Sequence, residues 1–239
     1  MNQLAKIILL AAVLGVLASA SLAETKIMIR EGTGGAVPAS QSDRCQTVWC
    51  QEPANAYLIE SQISQVPEEV VTQVADFVSS TDEAITRIKW WGGIYVQGEG
   101  PVEYFVISFF ASDGCAGPMG DPIYVREVFA WDEVFQEDYF EYTAELDPVP
   151  MDAGETYWLS VQGVLNIDPA GYWGWACGAL DLCPAMVTAP SYGVFDWTPV
   201  YPDIFPDNPE LEERAFCLYT DGAVSSVTAS WGTVKALYK

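Results

Sequence analysis

The sequence predicts an all-β protein: an antiparallel, jelly-roll-like β-sandwich with an irregular N-terminal lead and a short C-terminal segment. Three observations carry this. Short runs of alternating apolar and polar residues recur through the middle of the chain, separated by Gly and Pro. Helix signals are sparse, with enough at 209–214 for a turn or two. Half of the 239 residues are apolar, which excludes a disordered chain. The expected organisation is a signal peptide at 1–23, a lead segment at 24–70, a sandwich domain at 71–222 and a C-terminal segment at 223–239.

The first 23 residues have the three parts of a secretory signal. Lys6 is the positive n-region, 7–17 is an apolar run too short to span a bilayer, and Ser21 and Ala23 place small residues at −3 and −1 before Glu24. The product expected is exported, to a periplasm, a cell surface or the medium, without a membrane anchor in the mature chain. Glu31-Gly32-Thr33-Gly34-Gly35 and Pro38-Ala39-Ser40 are loop chemistry. Residues 44–70, with Cys45, Cys50 and Val66-Pro67, read as a mixed connection.

From about residue 71 the pattern is β. Residues 85–95 alternate, with Ile88 and Trp90 on one face and Arg87, Lys89 and Trp91 on the other. Residues 104–111 are apolar on both faces, as in a central strand. Asp113-Gly114-Cys115-Ala116-Gly117-Pro118 is a loop, and 123–131 alternates less cleanly. In 139–146, Phe140, Tyr142, Ala144 and Leu146 oppose Glu141, Thr143 and Glu145. Asp147-Pro148-Val149-Pro150 ends that strand and Asp152-Ala153-Gly154 is a turn. In 156–162, Tyr157, Leu159 and Val161 point inward and Trp158 outward. Short strands follow at 172–177 and 216–220. Ser230 is placed to cap a terminal helix with Trp231, Val234 and Tyr238 on one face, either a docked end or a recognised tag.

Several motifs in this order resemble a domain of unknown function in exported bacterial proteins. They are Val74-Ala75-Asp76-Phe77, Trp90-Trp91-Gly92 on a strand, Phe105-Val106-Ile107-Ser108-Phe109, and Gly154-Glu155-Thr156-Tyr157-Trp158-Leu159. The resemblance spans roughly 71–178 and implies a β-sandwich, with no catalytic residues to carry over. Asp76 stands alone where that domain carries two aspartates.

Charge and composition narrow the function. Ten Lys and Arg face 33 Asp and Glu, a formal net charge of −23, which repels nucleic acid and anionic lipid. The absence of histidine excludes Ser-His-Asp and Cys-His catalysis and histidine-ligated zinc. No cofactor is expected. Ca²⁺ is the one ion the composition suits, at Asp113 and Asp121 or at Asp207, Glu210, Glu212 and Glu213, although neither group has an EF-hand pattern and a solvated acidic loop explains both. Six cysteines in an exported chain suggest disulfides, and proximity pairs Cys45 with Cys50, Cys177 with Cys183, and Cys115 with Cys217.

Nine Trp and 12 Tyr are many for this length. Trp91 and Trp158 fall on the polar side of their strands, and Trp173 and Trp175 share one face. Exposed, they form a stacking platform for extracellular polysaccharide or a patch for a surface protein; buried, they pack the core. The function expected is a non-catalytic binding module for glycan or another surface ligand. The alternative is a structural or adhesive surface protein with the sandwich as scaffold. A carboxylate-based glycoside hydrolase ranks behind both, because 33 acidic residues make a chance pair unspecific.

Overall fold

A computed structural model describes residues 46–65, 68–95, 101–136, 138–167, 171–179, 182–207, 211 and 213–221. The expectations for the signal peptide and for the terminal helix lie outside these residues, as does Cys45. The described residues form fifteen strands in two packed sheets. In chain order these are β1 (Gln46–Gln51), β2 (Pro53–Glu60), β3 (Gln62–Gln65), β4 (Glu68–Val78), β5 (Ile85–Tyr95), β6 (Tyr104–Ser112), β7 (Pro118–Val128), β8 (Asp132–Gln136), β9 (Tyr139–Val149), β10 (Thr156–Leu165), β11 (Tyr172–Gly178), β12 (Met186–Ala189), β13 (Val194–Pro199), β14 (Glu213–Arg214) and β15 (Phe216–Thr220).

The all-β sandwich follows from the alternation. In the eight-stranded sheet β5 is central. It pairs along one edge with β9, and along the other with β15 and then β11. The strands β1, β8, β2 and β14 extend that sheet on β15, β9 and β11. The seven-stranded sheet runs β13-β12-β4-β3-β10-β6-β7, and β4 also meets β10 directly. Every pairing is antiparallel except β3 with β10. The inward residues of β5, β9 and β10 are those the alternation selects: Ile88 and Trp90, then Tyr142, Ala144 and Leu146, and Tyr157, Leu159 and Val161 all enter one core. On the outer face of β5, Arg87 meets Glu145 at 2.7 Å and Lys89 meets Glu141 at 3.0 Å, so the polar half of the pattern is used as well.

The sandwich begins earlier than residue 71. Residues 46–65, expected as a mixed connection in the lead segment, are three strands of the two sheets. β2 lies on β11 in one sheet and β3 lies between β4 and β10 in the other, so the chain changes sheet at Ser61. Ser61 is fixed from both sides. Its N–H donates to Trp173 O at 3.2 Å, its hydroxyl donates to Val161 O at 2.6 Å, and its carbonyl accepts from Gly163 N at 3.0 Å. The next residue, Gln62, is fully buried and accepts from Trp173 N at 2.8 Å.

Trp173 fills the centre of the core. It packs against Phe105 with ring centroids 5.2 Å apart, and Phe105 packs on Trp90 at 4.9 Å. Its indole fits only because two residues facing it lack side chains. A Cβ on Gly163 of β10 would stand 2.8 Å from its Cγ, and one on Gly92 of β5 would stand 2.5 Å from its Cζ2.

The disulfides differ from the expected pairing. Cys50 joins Cys217, and Cys115 joins Cys183. The reason is register: β1 lies on β15 with Cys50 directly opposite Cys217. The loop carrying Cys115 meets the approach to β12, where Cys183 lies. Cys177 is a free, buried thiol, unpaired with Cys183. Two disulfides place the folded chain in an oxidising environment.

Two outcomes test this core. Gly163→Ala should lower stability by about 1–3 kcal/mol through overpacking, read as a lower urea midpoint with an unchanged m-value; an unshifted midpoint refutes the tight fit. Mass spectrometry of a non-reduced digest should recover the peptide pairs 50–217 and 115–183, and a 177–183 pair would contradict the register.

Candidate binding surface

The four tryptophans proposed as a platform present no exposed ring. Trp173 and Trp175 share a face as the alternation requires, but that face is the inter-sheet core, where Trp175 Nε1 donates to Ala215 O at 2.9 Å. Trp158 does point away from that core. It is nevertheless fully buried, because the β12–β13 hairpin folds over the outer face of its sheet and adds a small second core of Val74, Phe110, Cys183 and Met186, with Trp197 on its flank. The Cys115–Cys183 bridge ties the 113–118 loop to the approach to this hairpin. Trp91 points outward from β5 and is covered by Leu58, Tyr139 and Tyr219, with Lys89 Nζ 5.7 Å from its ring centroid. It keeps an edge on a small polar cleft of about 210 Å³ beside Glu52, Gln136 and Glu141. Alternation assigns a side chain to a face of its own sheet; it carries no information on what a later segment lays over that face.

The larger concavity lies elsewhere. After β7, the edge strand of the seven-stranded sheet, the chain crosses to β8, the strand outside β9 in the other sheet. At this lateral mouth of the sandwich is a groove of about 520 Å³, walled by Arg126–Val128, by the crossover Phe129-Ala130-Trp131 with Asp132, and by Thr143–Glu145 of β9. Two aromatic side chains of the crossover diverge. Trp131 turns inward, edge-on to Phe105 at 5.0 Å, while Phe129 is 66% exposed and rests on Tyr104 at 4.8 Å. Arg126 of β7 bonds Asp147 of β9 at 2.8 Å and so bridges the two sheet edges. Glu145 is held by Arg87, and Trp131 Nε1 donates to Glu133 at 3.3 Å. Of the polar side chains that line the groove, Arg126 and Glu145 are therefore held by ion pairs. The sequence contained one trace of this site: 123–131 alternates poorly because the strand ends at Val128 and the last three residues serve the crossover.

The carboxyl groups whose ionisation burial disfavours are not in the groove. Glu60 is raised to about 9 by burial, by a hydrogen bond with Glu69 and by that residue's charge, and Tyr192 donates to Glu69 at 2.6 Å from the turn Pro190–Tyr192. Glu213, fully buried on β14 beside β11, is pushed well up by burial and then by neighbouring Asp76. Beside it the Arg214 guanidinium donates to the carbonyls of Glu213 and Leu211 at 2.7 and 3.1 Å and to Gln73. Asp76, the aspartate of the motif at 74–77, accepts from Cys183 N at 3.3 Å and so helps seat the approach to the hairpin.

Among the described residues no group of three or more His, Cys, Asp or Glu is placed to hold a metal ion. Of the residues named for Ca²⁺, Asp113, Asp121 and Asp207 are exposed, Glu213 is buried with Asp76, and Glu210 and Glu212 lie outside the described residues. Among the described residues, too, no helix is long and apolar enough to cross a membrane. Comparison of the chain with protein-family models, with curated proteins and with solved structures finds no match.

The Glu60–Glu69 pair makes stability depend on pH with a definite sign. An unfolded Glu60 loses its proton near 4.5, whereas the folded one keeps it to about 9. Between those values the native state holds the extra proton, so stability falls as pH rises, by up to about 1.4 kcal/mol per pH unit from this group. Chemical denaturation across that window should show a shallower fall for Glu60→Gln than for the wild-type chain. Parallel curves would refute the buried proton.

Proposed function

We propose that the chain is an exported, non-catalytic sandwich protein that binds extracellular glycan at the groove between β7 and β9. The observation that carries this reading is the pairing of an exposed aromatic face, Phe129 on Tyr104, with polar side chains around one concavity, of which Arg126 and Glu145 are held by ion pairs. Sugar rings present apolar C–H faces edged with hydroxyls. They are matched by an aromatic surface flanked by carboxylates, amides or hydroxyls, here Asp132, Thr143 and Glu145. Two disulfides and the signal-like residues 1–23 agree with export.

Affinity electrophoresis on a polysaccharide panel tests it. Phe129→Ala should weaken retention at least about tenfold while leaving the circular dichroism spectrum and melting curve unchanged, because an exposed side chain contributes little to packing. Full retention by Phe129→Ala would overturn the site.

A second reading, a structural or adhesive scaffold, draws on the exposed apolar residues of the edge strands, Met119, Ile123 and Val125 on β7 and Val134 and Phe135 on β8. Loss of surface adhesion in an Ile123→Lys, Val125→Lys double variant, with Phe129→Ala adhering normally, would favour that reading.

A further inference from the structure

Resting on the glycan reading, we infer that the groove selects glycans bearing free amino groups over neutral or acidic ones. The argument is charge complementarity at short and long range. Three carboxylates, Glu127, Asp132 and Glu145, line the groove; Arg87 already holds Glu145 at 2.7 Å, which leaves Glu127 and Asp132 without an ion pair among the described residues, and the one lining cation is Arg126. That cation is already matched by Asp147 at 2.8 Å. A uronate or sulfate entering here would meet carboxylates without an unmatched guanidinium to receive it. A neutral sugar would use the aromatic face and leave the surplus negative charge uncompensated. An ammonium group satisfies both parts of the site at once, since the exposed face of Phe129 attracts a cation through the ring quadrupole and the carboxylates of Glu127 and Asp132 accept its N–H bonds. The field of a chain with net charge −23 adds to this, drawing polycations toward the surface and repelling polyanions.

Isothermal titration of the full chain with three oligosaccharides of matched length separates the outcomes: a β-1,4-glucosamine oligomer, its fully N-acetylated counterpart, and a polyuronate. The glucosamine oligomer should bind at least about fivefold more tightly than the acetylated one, and the uronate should not bind. Raising salt until the Debye length falls to about 3 Å should shrink the advantage, and so should an Asp132→Asn, Glu127→Gln double variant. Equal binding of the amino and N-acetyl oligomers, still abolished by Phe129→Ala, would overturn the charge selection and leave the glycan site standing. No binding of any oligosaccharide would overturn both. Oligolysine binding as tightly as the glucosamine oligomer, with the same dependence on Phe129, would assign the groove to basic peptide and overturn the inference.

Discussion

The two sheets are held in register by one indole. Trp173 belongs to β11 in the eight-stranded sheet and lies against Gly163 of β10 in the other, with Gly92 of its own sheet opening the remaining space. Around it the chain makes its single-residue change of sheet at Ser61, whose N–H, hydroxyl and carbonyl are all bonded to residues in or next to this contact. A side chain of that size cannot be accommodated by sliding the sheets, because the glycines are fixed positions in otherwise filled strands. The positions of β2, β3, β10 and β11 are thus mutually determined, and the aromatic ring network from Trp90 through Phe105 builds outward from the same point.

This economy leaves little room for a ligand on either broad face. The interior is occupied by aromatic rings, and the outer faces are partly roofed, by the β12–β13 hairpin over Trp158 and by Leu58, Tyr139 and Tyr219 over Trp91. What remains open is the lateral mouth, where the chain passes from β7 to β8 and the sheet edges are joined by the Arg126–Asp147 ion pair. Recognition at this crossover, as proposed, would rest on exposed residues such as Phe129 and Asp132, which can vary without disturbing the core that Val128, Trp131 and Ala144 help to fill.

The fold was legible where the physics is local. β5 occupies the residues that alternation selects, and β9 and β10 overrun the expected strands by three residues each; alternate residues of all three enter the core, and in β10 the opposite face is buried as well. The first three strands were not legible. Gln46, Gln51, Gln62 and Gln65 mask the alternation, and the buried Gln62 is there for a hydrogen bond to Trp173 N rather than for apolar burial. Cysteine pairing failed for a related reason: the partners of Cys50 and Cys115 are separated from them by 167 and 68 residues, and only the register brings them together. The groove was hardest to read, since Phe129 and Trp131 alternate like two more residues of a strand, whereas the chain leaves the sheet after Val128.

The Cys50–Cys217 bridge also sets how the domain would respond to tension. Gln46 and Thr220 are neighbours at one end of the antiparallel β1–β15 pair, so a pull applied to both ends peels the two strands apart one hydrogen-bonded rung after another. Peeling stops at the rung where Cys50 faces Cys217. Beyond it the load passes through the sulfur–sulfur bond, and the whole of the chain between, groove and aromatic core included, carries none of it.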